Sequence, residues 1–303
     1  MISALLLRAA ENRRLERLAT GNPLSRGIVQ RYVAGTTLAE AIAVAQQAQR
    51  KNMQVSLDLL GESVQDLAEA ATATEEYVQT VRAIAAHAPG ATVSVKLSQL
   101  GVAVDEDTCL KNLEHLMAEA ASVGVLVEVD MEHSSVGRAT LELFRRVLPS
   151  YPDSRIAIQA AMRRTVSDLE SFDEVKPRIR LVKGAYAEPL SRAASDPDEI
   201  AAQYAFLTDW ALQNLPDPAF GTHDDRCIEH VKLSAGRLGV LPRDYEFQML
   251  YGVRRDLQEQ LAEDGYRVRL YVPFGTQWYP YLMRRMAERP ANLLLFLRSL
   301  VGG

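Results

Sequence analysis

Near the C-terminal end of this sequence two arginines stand side by side, Arg284 and Arg285. Paired guanidinium forks suit a carboxylate, because each can give it two parallel N–H bonds. Tyr281 and Glu288 join them at i, i+3, i+4 and i+7 of a helix predicted over 277–288, whose opposite face carries Leu282, Met283 and Met286. The plain reading is a solvated face with one Arg–Glu pair. The chemical reading is an anion clamp, and it gains from the turn just before the helix, which holds Pro273, Gly275 and Trp278. A helix that begins so soon after a strand can hang its polar face over the end of the sheet.

Lys96 and Lys183 each follow a β-branched run. An interior lysine needs a counter-charge or an anionic ligand, or it tends to lose its proton. Asp58 and Asp130 would supply salt bridges; an anionic cofactor or substrate, shared with Arg180, would supply the ligand. Both readings stay open at this point. Two further chemistries use the same region. Asp130, Glu132, His133, His223, Asp224 and His230 could ligate a metal in a barrel hydrolase or isomerase, although no HxH or HExxH spacing supports it. A Schiff-base lyase would need Lys96 or Lys183 kept neutral.

The elements that must position these groups follow from the hydrophobic rhythm. Short β-branched runs recur about every 30 residues, the size of a βα unit. They are 55–58, 92–96, 125–130, 155–159, 179–183, 219–223, 245–248 and 267–272, the sixth having the least apolar length. Their C-terminal ends carry Asp58, Lys96, Asp130, Gln159, Lys183, Thr222 with His223, Gln248 and Tyr271. One polar ending means little, since strands must stop somewhere. Eight together point to the end of a barrel where reactive groups gather. Eight units without a composition break predict an α/β (βα)8 barrel of the TIM type over 46–303, preceded by a helical segment over 1–45 and closed by the last helix over its mouth. An open doubly wound sheet is the alternative, but no GxGxxG phosphate turn occurs. The stretch 189–197, rich in Pro and Ser, reads either as a plain surface connection or as a loop near the site.

Composition narrows the partners. The 303 residues carry a formal net charge of −5, with 48% hydrophobic and 24% charged residues, the balance of an ordinary globular protein. No Lys/Arg block is long enough to track a nucleic-acid backbone. Cys109 and Cys227 have no metal or CxxC spacing and are read as reduced thiols, which suits a cytoplasmic address. No apolar run approaches the roughly 20 residues of a spanning helix, and no secretion signal is evident. Attachment to a membrane surface stays open.

Taken in order along the chain, SLDLLGE at 56–62, VKLSQLG at 95–101, VDME at 129–132, Gln159-Ala160, RLVKGAY at 180–186, Thr222-His223, EFQML at 246–250, YVPFG at 271–275 and YPYLMRR at 279–285 resemble the proline dehydrogenases, specifically the short monofunctional bacterial type. The resemblance implies a distorted (βα)8 barrel that oxidises L-proline to 1-pyrroline-5-carboxylate by hydride transfer to N5 of FAD, the first step of proline catabolism, and passes electrons to a quinone, which would call for a peripheral place at the inner membrane. It implies that Arg284 and Arg285 bind the proline carboxylate, with Lys96, Asp130 and Glu288 in the surrounding polar network. Tyr271, Tyr281 and Leu250 would pack round the pyrrolidine ring. Gln159, Arg180, Lys183, Gly184, Ala185, Tyr186, Thr222, His223 and Gln248 would hold the flavin. Ala187 stands where some relatives have an aromatic residue, so a contact to the dinucleotide differs. Hydroxyproline is the alternative substrate within the family, and oligomeric state, acceptor and a role for the N-terminal helices are not encoded in any motif.

Overall fold

The computed structural model describes residues 29–61, 63–172, 175–184 and 188–288, with backbone alone for 284–288. After a helical turn at 29–32, α1 (Leu38–Gln49) leads into β1 (Gln54–Leu59), α2 (Leu67–His87), β2 (Thr92–Val95), α3 (Glu106–Ser122), β3 (Val127–Val129), α4 (Ser134–Val147) and β4 (Arg155–Gln159). The second half runs α5 (Thr165–Glu170), β5 (Arg178–Val182), α6 (Pro197–Asn214), β6 (Ala219–Gly221), α7 (Asp225–Leu238), β7 (Glu246–Leu250), α8 (Arg255–Glu263), β8 (Arg267–Phe274) and α9 (Trp278–Glu288). The strands close in sequence order into an all-parallel barrel, β8 pairing back onto β1. All eight predicted strands are present, and β6 is among the shortest, as its composition suggests.

Local chemistry sets the helix starts. Thr37 and Glu40 form a reciprocal capping box on α1, and Asp66, Asp105, Asp196 and Asp224 each accept backbone N–H bonds at the starts of α2, α3, α6 and α7. α1 crosses residue 45 and packs on β8 and β1, so the helical shell of the barrel begins at Leu38. Just before it, Ala34 N–H donates to the Pro273 carbonyl at 2.9 Å and Gly35 accepts from Gly275 N–H at 3.0 Å. The chain therefore reaches α1 by way of the C-terminal end of β8.

Side chains alternate across each strand. One set, including Val55, Leu57, Val93, Val95, Ile156, Ile158, Phe247 and Val268, is buried in a single cluster with Val81, Leu113, Phe144, Tyr204 and Val231 of the surrounding helices. That shell is the apolar core. The other set bonds across the barrel interior, and it is polar: Thr92 and Ser94, Glu128, Arg155, Arg180, Glu246 and Gln248, and Arg269. The usual interior of such a barrel is layered Val, Ile and Leu. Here it is an ion network.

The predicted irregular stretch 189–197 is irregular up to Asp196, the cap of α6, and is tied down. Ala194 N–H donates to the Ala161 carbonyl at 2.8 Å, Arg163 N–H to the Arg192 carbonyl at 2.9 Å, and Arg192 reaches the Ser134 hydroxyl at 2.8 Å. Cys109 and Cys227 are both free and buried, and burial pushes the Cys109 thiol up to about 12.

Candidate functional site: a charged barrel interior opening at the strand ends

The site is best built from its floor. Glu246 accepts Arg269 Nε at 2.8 Å, Arg155 Nη1 at 3.2 Å and Gln248 Nε2 at 2.8 Å. Glu128, on β3 across the barrel from β7, accepts Thr92 at 2.6 Å and Gln248 at 3.2 Å, and it pairs with Arg180. Both glutamates are almost fully buried. Burial works to raise their pKa values, but the surrounding guanidinium groups outweigh it and hold both below the usual carboxylate range.

Arg180 links this floor to the mouth. Its Nε faces Gln248, one Nη holds Glu128 and Ser94, and the other holds Asp130. The guanidinium carbon lies 5.4 Å from the centre of the Tyr271 ring. Above it, Asp130 accepts Tyr271 Oη at 2.5 Å and Ser94 Oγ at 3.1 Å, with Lys96 Nζ at 3.4 Å. Lys96 donates to Asp58 and, at 3.1 Å, to the Tyr271 hydroxyl. Four cations, Lys96, Arg155, Arg180 and Arg269, thus interleave with four carboxylates, Asp58, Glu128, Asp130 and Glu246.

The two aspartates at the mouth differ. Burial holds Asp58 above the usual range despite Lys96, and the nearby Asp130 charge adds to the shift. Asp130 is buried too, but Lys96 and Arg180 overcome that and keep it below the usual range. Burial would also lower Lys96; Asp58, Tyr271 and Asp130 reverse this and hold its ammonium well above the ordinary lysine value. Burial, then Asp130 and Asp58, push the Tyr271 phenol well up, so it keeps the proton that it gives to Asp130. A protonated Lys96 removes that residue from the Schiff-base reading.

The β4–β7 side of the rim carries the other predicted residues. Gln159 Nε2 donates to the Glu132 and Met131 carbonyls at 3.0 and 3.2 Å. Lys183 Nζ meets Asp224 at 2.6 Å, and Asp224 N–H donates to Thr222 Oγ1 at 3.1 Å. His223 Nε2 accepts the Leu250 N–H at 3.0 Å, so a neutral His223 carries its proton on Nδ1. Gly184 has φ +115°, and a Cβ there would stand 3.2 Å from Ala161 Cβ and 3.3 Å from Gln159 Oε1. Tyr281 is buried on α9, not on a solvated face, together with Leu282 and Met283. Arg284, Arg285 and Glu288 fall on the α9 backbone, and their side chains lie outside the described residues. Ala185, Tyr186 and Ala187 lie outside them altogether.

The residues considered as metal ligands are engaged separately. His230 faces Asp209 at 3.0 Å between α7 and α6, His133 caps α4, and Asp224 is taken by Lys183. Among the described residues no group of three or more His, Cys, Asp or Glu comes together as a metal cage. Sequence reasoning missed Ser94, Glu128, Arg155, Glu246 and Arg269. Their signal was present: Glu128 and Asp130, Arg178 and Arg180, Glu246 and Gln248, and Arg267, Arg269 and Tyr271 are all spaced by two, the period of one strand face.

Comparison with known proteins decides what this arrangement belongs to. The sequence model described as proline dehydrogenase matches residues 41–294. The chain belongs to the proline dehydrogenase family. It is 36% identical to proline dehydrogenase of Deinococcus radiodurans, over 98% of this chain and 97% of that one. It is 34% identical to proline dehydrogenase 1 of Bacillus subtilis strain 168, over 99% of both chains. Among solved structures it resembles proline utilization A of Bdellovibrio bacteriovorus inactivated by N-propargylglycine, with a TM-score of 0.82 and 27% identity over 88% of this chain. This chain spans 33% of that longer protein.

Proposed function

We propose that this proline dehydrogenase family member oxidises L-proline to 1-pyrroline-5-carboxylate with FAD, and that a quinone reoxidises the flavin. The observation that carries the reading is the Lys96–Asp58–Asp130–Tyr271 cluster at the strand ends, on a chain matched to the family along most of its length.

The residues on the rim fit a flavin. Gly184 has a left-handed backbone and space that a Cβ would crowd, which suits close approach of a cofactor to the main chain. Gln159, Thr222, His223 and Gln248 bring hydrogen-bonding groups, and Lys183 brings a cation whose partner, Asp224, is a surface helix cap. With Arg180, Ala185 and Tyr186 they are the residues proposed to hold FAD. Bound there, FAD would supply a two-electron acceptor for the hydride that leaves the ring carbon beside the proline nitrogen.

The chain does the rest. Arg284 and Arg285 would bind the proline carboxylate by paired N–H bonds, with Glu288 setting their orientation. Lys96 stays charged and holds Asp130 and Tyr271 in one arrangement, so the wall that meets the ring needs little reorganisation. Leu250, Tyr271 and Tyr281 would present apolar surface to the pyrrolidine and exclude water from it. The substrate nitrogen must be neutral to share its lone pair with the forming C=N bond. Arg180, close beneath Tyr271, would favour an electron-rich reduced cofactor. No helix among the described residues is long and apolar enough to cross a membrane, and meeting a quinone would call for peripheral contact with the inner membrane from the cytoplasmic side.

The test is a visible spectrum of purified protein, taken anaerobically before and after L-proline. A flavin band that bleaches with L-proline supports cofactor and reaction together. A band indifferent to proline removes the substrate assignment. A colourless protein that FAD does not reconstitute removes the cofactor.

A further inference from the structure

The turn after β7 holds a backbone conformation that arginine rarely adopts. Arg254 has φ +52° and ψ +54°, in the left-handed region, which is unfavourable for a residue with a Cβ. Two residues earlier Gly252 has φ +78°, and a Cβ there would fall 1.7 Å from the Arg31 carbonyl oxygen. The chain is thus forced through a tight bend before α8 starts. Capping does not explain Arg254, because its side chain makes no cap hydrogen bond to α8. It turns instead to the neighbouring loop, where Nη1 donates to the His223 carbonyl at 3.0 Å and to Asp225 at 2.6 Å. His223 returns the contact through Nε2, which accepts the Leu250 N–H at 3.0 Å. The two loops clasp each other reciprocally.

We infer that Arg254 is a positioning residue that fixes the flavin-side loop against the proline-side wall. The inference rests on the proposed function, in which Thr222 and His223 hold FAD and Leu250 lines the ring pocket. Arg254 is not among the residues proposed to bind FAD or proline. It acts by pinning the main chain of His223, so that the His223 ring in turn pins the last residue of β7. The Arg254–Asp225 pair has an aspartate that is 75% exposed, and such pairs contribute little to stability. A strained backbone kept for so little stability points to what the guanidinium aligns.

The test compares Arg254→Asn and Arg254→Lys with the wild-type holoprotein. Asparagine tolerates the left-handed conformation and removes the guanidinium. We expect its melting temperature to change little, while the Kd for FAD and the KM for L-proline each rise about tenfold, the loss of a charged hydrogen bond. Turnover at saturating proline should fall less than that, and lysine should restore part of the binding. Amide exchange at Leu250, read in protein freed of flavin, should accelerate in the Asn variant. A drop in melting temperature with unchanged Kd and KM would make Arg254 purely structural and overturn the inference. Unchanged Leu250 exchange would overturn the clasp itself, whether or not the protein binds flavin. A wild-type protein indifferent to FAD would instead remove the proposed function.

Discussion

Replacing Lys96 by methionine keeps most of the side-chain length and removes its charge. Asp58 then loses the ammonium it faces, inside a pair whose side chains are only 16% and 2% exposed. Asp130 retains Arg180, Tyr271 and Ser94 as donors. Removing one partner of a buried pair costs about 3–5 kcal/mol. At about 2 °C per kcal/mol for a chain of this length, Lys96→Met should melt roughly 6–10 °C lower at neutral pH. The pH dependence carries the sharper test. The folded pKa of Asp58 already lies above its ordinary value through burial, and losing Lys96 lifts it further. Between the unfolded and folded values the native state binds the extra proton, so stability falls as pH rises through that window. The deficit should therefore be smallest near the ordinary carboxylate pKa and grow as the pH rises above it. Circular dichroism melts of wild type, Lys96→Met and Lys96→Met/Asp58→Asn across that range measure it. A pH-independent loss, or a double variant no more stable than the single one, would refute the assignment of the loss to an uncompensated Asp58.

Three other outcomes follow from the same structure. Glu128, Asp130 and Glu246 have lowered pKa values, so the stability they give is present above their unfolded values near 4 and is lost as pH falls through the folded ones; urea midpoints should drop on acidification, and Glu128→Gln, though less stable at pH 7, should show a shallower slope by roughly one proton. Gly184→Ala should reduce flavin bound per protein, read from the ratio of visible to protein absorbance, because φ +115° and the 3.2 Å approach to Ala161 force the rim to shift; unchanged flavin content would exclude close cofactor approach there. Arg285→Met should raise the KM for L-proline about a hundredfold while leaving flavin content nearly unchanged, since a charged bidentate contact contributes several kcal/mol; equal losses of both would count against a carboxylate-binding role.

What could be read from the sequence followed from what each strand shows to its neighbours. The eight strands were visible because their outward residues, such as Val55 and Leu57 or Ile156 and Ile158, make β-branched runs of the right length. The polar strand ends were visible because each run stops on a hydrogen-bonding residue. The interior was overlooked for the same reason: attention to apolar runs treats Glu128, Arg155 and Arg269 as interruptions, although they fall on the alternate face. Asp58 and Asp130 were recognised as partners for a lysine. Their divergence could not be, since it depends on Arg180 reaching Asp130 from β5. Arg254 gives no local sign beyond the glycine two residues earlier, and that glycine is required by the close approach of the Arg31 carbonyl, more than two hundred residues away in sequence. Tyr281 was placed on a polar helix face by periodicity, and tertiary packing buried it.

Stability does not explain why the barrel should enclose ions. Replacing a buried ionic network by apolar residues of similar volume is often neutral or stabilising, and an apolar interior is what barrels of this type normally have. The network does something that packed aliphatic residues cannot. Each member has its partners fixed: Glu246 locks Gln248, Gln248 and Glu128 lock Arg180, and Arg180 locks Asp130 beneath the mouth. The orientation of Asp130, and with it Tyr271 and Lys96, is therefore set from below, through bonds between the protein's own side chains. Charges held this way need not reorganise when a reaction moves charge above them. On that argument the floor of the barrel is part of the site, and a substitution at Glu246, two hydrogen bonds away from Arg180, should be felt at the mouth before it is felt in the outer apolar shell.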